Sequence, residues 1–253
     1  MVSSIHTRWW NGEVYSINSS SQTFLAQSVL PEIPIAASSK VLDIACGDGQ
    51  ITYQIALKAA NGLVVGLDAS SSMIQKCREK QLNQLHYIND QAETFSLPDE
   101  FDLIVSFNAF HWMKDQKAVW HNVRKHLKVG GKAYIHFNPG PRNESLTQAL
   151  NEIYLFKEEH IMPLYNLSDY RLMVESVGLK VTECSASLPS FEFESKEAFK
   201  NNLRGWLPHL SAMPVKDHSF FLDKVVSRYL ELTQQTIPIK LPYNHFKVIA
   251  ERI

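Results

Sequence analysis

An apolar run that ends on an acid and then breaks into two glycines constrains this chain more than any other feature: Val41-Leu42-Asp43-Ile44-Ala45-Cys46-Gly47-Asp48-Gly49. The aliphatic stretch over 41–45 reads as a buried strand, and the glycines after it free the backbone for a tight turn. Residues 50–60 then carry apolar side chains at helical spacing, and residues 63–67 form a second apolar run. Strand, glycine turn, helix and strand within about 30 residues make a βαβ unit whose two strands lie parallel in one sheet. The rhythm continues with a helix over 71–81, a short strand over 86–89, a strand over 101–107, a helix over 116–127 and a strand over 132–137 that Gly130 and Gly131 introduce. Strands alternating with helices predict an α/β fold with a doubly wound, mainly parallel sheet. Such sheets bind ligands at the carboxyl ends of their strands, where Asp43 and the glycine turn fall.

The flanking regions are looser. Residues 1–38 hold a polar, aromatic-tipped stretch with Trp9, Trp10 and Tyr15, then a helix over about 21–30 that stops before Pro31 and Pro34. After Asn138-Pro139-Gly140-Pro141 the spacing predicts helices over about 145–160, 168–176, 195–206 and 217–236, and an extended stretch over 180–187. A final alternating segment, 245–252, returns to the sheet as a strand. The expected organisation is an N-terminal helical lid over 1–38, a ligand-binding core over 39–140, and the rest of the sheet with helical cap insertions over 141–253, all in one compact domain.

The chemistry lies in two acids and the turn between them. A dinucleotide fold would want Gly-x-Gly-x-x-Gly, but in register with Gly47 the three positions hold Ala45, Gly47 and Gln50. A carboxylate at Asp43 would also repel a pyrophosphate, so the turn suits a ligand with a cationic head. Asp68 ends the next apolar run, where a carboxylate can accept hydrogen bonds from both hydroxyls of a ribose. The alternative role for Asp68 is to cap the following helix through its own oxygen.

These residues resemble the class I S-adenosylmethionine-dependent methyltransferases, whose first motif is an acid followed by alternating glycines. The resemblance extends over about 38–140, through Gly66-Leu67-Asp68-Ala69-Ser70, the stretch from Gln91 to Met113, and His126-Leu127-Lys128-Val129-Gly130-Gly131. It implies a Rossmann-like, seven-stranded sheet with an antiparallel last strand and an added helical cap. It also implies S-adenosyl-L-methionine as cofactor, leaving S-adenosyl-L-homocysteine, held by Asp43, Ala45, Gly47, Gly49, Asp68, Ala69, Met73, Gln91, Ala92 and Asn108. Ala45 stands where the family has its first glycine, so residue 45 is expected to avoid a strongly left-handed backbone. Gln91 stands where an Asp is common beside the adenine.

The stretch Ser106-Phe107-Asn108-Ala109-Phe110-His111-Trp112-Met113, with the N-terminal aromatic segment and the C-terminal Leu241-Pro242-Tyr243-Asn244-His245-Phe246, is similar to the branch that methylates small carboxylic acids, such as juvenile hormone acid and trans-aconitate. That likeness implies O-methylation of a carboxylate to its methyl ester, with His111 in the catalytic position and Tyr15, His111 and Trp112 against the substrate; the alternative role for His111 is to bond a neighbouring backbone carbonyl and order the loop. A carboxylate of pKa ~4 is already ionised at pH 7, so such a reaction needs positioning more than a base. Trp206, Phe220 and Phe221 are candidates to line an apolar acyl pocket, although aromatic residues at helical spacing more often pack into a core. The alternatives are methylation at carbon or a phenolic oxygen of a quinone- or polyketide-like molecule, with His111 as base, and a cofactor-binding protein without turnover.

Composition narrows the partners. With 25 Lys and Arg against 26 Asp and Glu, the chain has no net field to capture a polyanion. There is also no Asn-Pro-Pro-aromatic tetrapeptide after the fourth strand and no Pro-Cys pair, so a nucleic-acid base is not the expected acceptor. Three scattered cysteines, Cys46, Cys77 and Cys184, fit reduced thiols and no structural metal. No apolar run reaches signal-peptide or membrane-span length, so a soluble, cytoplasmic protein is expected, as monomer or homodimer, acting on a small molecule.

Overall fold

The computed structural model describes residues 20–139, 143–153, 166–207, 210 and 213–253. Helix α1 (Ser20–Val29) precedes strand β1 (Lys40–Ile44), helix α2 (Gln50–Lys58), strand β2 (Leu63–Asp68), helix α3 (Ser71–Cys77), strand β3 (Leu85–Asn89) and strand β4 (Phe101–Phe107). Helix α4 (Gln116–His126) and strand β5 (Leu127–Phe137) complete the alternating half. Helices α5 (Glu144–Ile153) and α6 (Leu167–Ser176), strands β6 (Lys180–Ser187) and β7 (Ser190–Phe193), helices α7 (Lys196–Trp206) and α8 (Val215–Thr233), and strands β8 (Ile239–Pro242) and β9 (His245–Glu251) follow.

Seven strands form one sheet in the order β3-β2-β1-β4-β5-β9-β6. The pairs from β3 to β5 are parallel, while β9 runs antiparallel to both β5 and β6. This is the doubly wound α/β sheet with an antiparallel last strand that the sequence implied. Its strands read as continuous apolar runs because both faces are covered. On one face Leu42, Ile104, Ile135 and Phe137 pack with Trp120 and Val123 of α4 and Tyr170 and Val174 of α6. On the other, Val41, Val64, Leu103 and Val105 meet Leu30 and Ile33 after α1 and Ile55 and Ala56 of α2. A third apolar cluster, built from α5, α7, α8 and the β7–β8 ribbon, is the helical cap.

Several boundaries differ from the sequence expectation, each for a local reason. Strand β5 begins at Leu127, not at 132, because Gly130 takes φ 78° and the register shift between Phe101 and Leu103 absorbs the extra residues. Helix α3 stops at Cys77 and tightens into the turn bonds Glu79 N to Lys76 O and Lys80 N to Cys77 O. The β7–β8 ribbon went unforeseen: its strands are four residues long and pair across the whole of α7 and α8. The helix expected over 145–160 is described only as Glu144–Ile153, and the rest of that range lies outside the described residues. Among the described residues no helix is long and apolar enough to cross a membrane.

Trp120 and Tyr170, both fully buried, share a hydrogen bond of 3.1 Å from the indole Nε1 to the phenol oxygen. Tyr170→Phe strands that indole donor in a dry core, so urea unfolding should report a loss of about 1–3 kcal/mol. A loss well below 1 kcal/mol would mean that water reaches the site.

Candidate functional site

The turn after β1 is the most contorted backbone in the sheet. Ala45, Gly47 and Gly49 have φ of 59°, 57° and 75°, three left-handed residues within five. Ala45 corrects the expectation that this position avoids the left-handed region. An L-residue there costs on the order of 1 kcal/mol, and alanine carries the smallest side chain subject to that cost. Gly49, which begins α2, has no alternative: a Cβ there would lie 2.7 Å from the Tyr87 hydroxyl and 2.9 Å from Cys77 Sγ. Cys46 and Cys77 pack with Ile74 behind the turn, and the Cys77 thiol donates to the Gly47 carbonyl at 3.1 Å. Burial, first, pushes the Cys46 thiol well above its ordinary range, with the Cys77 contact adding to the rise, so Cys46 serves as packing and not as a nucleophile.

The turn forms one wall of an open cleft of about 400 Å³. Asp43, Ala45, Gly47 and Asp48 line it from the turn, Ile51 from α2, Phe107 from the end of β4, and Thr23 and Ala26 from α1. Asp43 is 2% exposed, and its carboxylate accepts a 2.7 Å hydrogen bond from the Thr52 hydroxyl on the first turn of α2. Burial drives its pKa from 3.8 up to about 7; the Thr52 bond offsets part of the rise and the Asp68 carboxylate adds to it. Asp68 ends β2 half-buried, its two oxygens accepting from the amides of Gly47, at 3.0 Å, and Ser70, at 2.8 Å. Burial raises it to about 6, against the pull of those two amides. Among the described residues no Lys or Arg pairs with either acid. A buried and a half-buried carboxylate without a cation fit a ligand that carries positive charge and hydroxyl donors.

Of the residues the sequence singled out, Asp43, Ala45 and Gly47 line the cleft, Asp68 is tied to the Gly47 amide beside it, and Gly49 caps the start of α2. Capping of α3 falls to Ser70, whose hydroxyl accepts from the Met73 amide, and not to Asp68. Ala69 is exposed beside Asp68, whereas Met73 is buried on the inner side of α3. Gln91 is exposed; Ala92 is buried, and its carbonyl accepts from the Asn122 amide. Asn108, at the exit of β4, is left-handed with φ 54°. His111 and Trp112 follow it on a single 3₁₀ turn, half-buried, their rings 5.1 Å apart. Tyr15, Trp9 and Trp10 lie outside the described residues.

The acyl-pocket expectation is corrected. Phe221 is buried in the cap core with Trp206 packed against that core, and Phe220 is 68% exposed with Lys224 over its ring. Thr23, Ala26, Thr52 and Phe107 were not foreseen. Thr52 was legible as the first-turn hydroxyl nine residues after Asp43, but contacts from α1 have no local signal. Among the described residues no His, Cys, Asp and Glu group could hold a metal ion.

Comparison with known proteins agrees with this geometry. Residues 41–131, which span β1 through the start of β5, match the family described as "Methyltransferase domain". The chain is 25% identical over 228 residues to a protein of Invertebrate iridescent virus 6 provisionally named a methyltransferase, covering 87% of this chain and 85% of that one. Trans-aconitate 2-methyltransferase of Deinococcus radiodurans is 30% identical over 122 residues, 48% of this chain and 46% of the relative, so the match spans about half of that protein. Juvenile hormone acid O-methyltransferase of Drosophila melanogaster is 25% identical over 220 residues, 77% and 72% of the two chains. In fold, a Haloferax volcanii protein solved in complex with the Trm112 methyltransferase activator superposes with a TM-score of 0.64 at 18% identity, covering 100% of this chain and 99% of that one. Over residues 41–131 the chain is similar to a methyltransferase domain, and its sheet is the fold of the solved neighbour. It also resembles the trans-aconitate and juvenile hormone acid methyltransferases.

The raised Asp43 pKa has a measurable consequence. An unfolded aspartate titrates near 3.8 and this one near 7. Between those values the folded state binds the extra proton, so Asp43 makes stability fall as pH rises, with the full cost present above pH 7. Asp43→Asn can keep the Thr52 bond without the charge. It should raise the melting temperature of the ligand-free protein at pH 8 by about 2–4 °C or more and change it little at pH 4. An equal shift at both pH values would rule out the buried charge as its source.

Proposed function

We propose that the protein transfers a methyl group from S-adenosylmethionine to a carboxylate of a small molecule, giving a methyl ester. The observation that carries the donor half is the buried, cation-free carboxylate of Asp43 beside a left-handed glycine turn. An ammonium or sulfonium near it restores the charge balance that burial upsets. Bound there, the donor supplies an electrophilic methyl group on a sulfonium. Asp43, Ala45, Gly47 and Gly49 would hold its amino-acid end. Asp68 uses one lone pair of each oxygen on backbone amides and keeps capacity for two ribose hydroxyls. Ala69, Met73, Gln91 and Ala92 would flank the base, and Asn108 the side facing the acceptor.

The acceptor half rests on the relatives, two of which are named for esterifying or methylating carboxylic acids. A carboxylate arrives ionised, so the protein's work is to orient it, dry it and hold it in line with the methyl group. His111 and Trp112, on the turn after β4, are the residues we assign to that side, with Tyr15 from the N-terminal segment. In this reading residues 1–38 form a lid, 39–140 the donor-binding core, and the helices of 141–253 the cap over the acceptor.

Calorimetric titration with S-adenosylhomocysteine tests the donor half without a known acceptor. Micromolar affinity, about −8 kcal/mol, is expected. Asp68→Ala should weaken it by roughly 1.5–3 kcal/mol while the protein stays folded. Unchanged affinity would refute the ribose contact, and no binding at millimolar ligand would refute the donor site. Methyl-ester formation in a screen of small carboxylic acids then tests the acceptor half, and transfer only to phenolic or carbon acceptors would overturn it.

A further inference from the structure

Two histidines that neither the glycine turn nor the motifs account for lie at the same carboxyl edge of the sheet. His136, next to last in β5, is 1% exposed, and His245, first in β9, is 8% exposed. Their rings lie edge to edge and nearly coplanar, with centroids 5.3 Å apart and planes 18° apart, and His136 Nδ1 lies 3.2 Å from His245 Nε2. On its other nitrogen, His245 Nδ1 lies 3.4 Å from the hydroxyl of Ser187, the exposed last residue of β6. Ser187, His245 and His136 thus form a hydrogen-bonded row across three adjacent strands. Two buried imidazoles in contact make a costly core element that two aliphatic residues could replace.

The row ends against the exit of β4. The His136 ring stacks on Phe107, centroids 6.1 Å apart, and its backbone carbonyl accepts from the Asn108 amide at 2.7 Å. Phe107 lines the cleft and Asn108 is one of three non-glycine residues with positive φ among those described. Strained backbone of this kind persists only where its surroundings over-determine it. The same turn continues into His111 and Trp112. Asp68 and Asp43 stand on β2 and β1, so a donor laid across them presents its far end towards β4 and β5, where the row sits.

We propose that His136, oriented by His245 and Ser187, is a positioning residue for methyl transfer, fixing the Phe107–Trp112 turn that presents the acceptor-side groups. The inference rests on the assignment of that turn to the acceptor. Burial drives the His136 pKa down to about 3, with His245 and Lys247 adding to the fall, and burial also holds His245 below its ordinary value. Both rings are therefore neutral at pH 7, and each offers one donor and one acceptor nitrogen, which is what the row requires. The charged groups alongside are Lys247 of β9, paired with Glu183 of β6, and Glu32 after α1, which holds Lys247 at 2.7 Å.

Two substitutions at 245 separate orientation from packing. His245→Gln retains an amide that can bond His136 Nδ1 but loses the aromatic ring, whereas His245→Phe retains a ring and loses the bond. Imidazole ¹⁵N spectra of the wild type and both variants, with and without S-adenosylhomocysteine, provide the readout. Expected are a ¹⁵N–¹⁵N coupling across the His136–His245 hydrogen bond in the wild type, His111 signals at wild-type positions in His245→Gln, and displaced His111 signals in His245→Phe. Affinity for S-adenosylhomocysteine should stay within about threefold of wild type in both variants. Absence of the coupling overturns the proposal, as does a His111 spectrum that stays put in His245→Phe or moves equally in the two variants. Failure of the wild type to bind S-adenosylhomocysteine would instead refute the donor reading, and the ligand-free spectra would still decide whether the row holds the turn.

Discussion

The hydrogen bond from the Gly47 amide to the Asp68 carboxylate is the tie on which the site depends. It joins the turn after β1 to the end of β2, strands already paired in parallel register, so Asp43 in the cleft wall and Asp68 beside it are fixed relative to one another. Packing defends the tie from behind: Cys77 and Tyr87 fill the space where any side chain at residue 49 would go. The price is a left-handed Ala45 and two carboxylates whose ionisation burial opposes. Stability given up in this way is what a cationic, hydroxyl-bearing ligand would restore on binding.

The rest of the molecule divides its work around that edge. The two apolar layers against the sheet make the strand ends rigid, while the cap has its own apolar core of α5, α7, α8 and the β7–β8 ribbon. A cap with a separate core can differ between relatives without disturbing the glycine turn. That agrees with the extent of the resemblance: the methyltransferase domain match covers 41–131, and the Deinococcus relative aligns over about half its length. Helix α1 is the exception, since Thr23 and Ala26 bring an N-terminal element directly into the cleft.

Legibility followed sequence distance. Asp43, Gly47 and Gly49 fall within seven residues, and Asp68 stands at the carboxyl end of the next apolar run, so strand periodicity alone put them on one edge. Thr52 could have been found in the same way. The histidine row could not: His136 and His245 are 109 residues apart, and only the insertion of β9 between β5 and β6 makes them neighbours. In the cap, aromatic residues at helical spacing left core and pocket roles open, and packing decided it: Phe221 packs inward while Phe220 faces solvent one position away.

By itself, the sequence determined the alternation of strands and helices, the mainly parallel sheet and the acid–glycine turn at its carboxyl edge, because each is written in local periodicity and in residues with special backbone freedom. Tertiary structure decided how deeply the two acids are buried and therefore where they titrate. It also decided that α1 closes one side of the cleft, and that a serine and two histidines from three strands meet behind Phe107. Those properties belong to the packing of elements distant in the chain, and burial and long-range contact leave no periodic mark on the residues that make them.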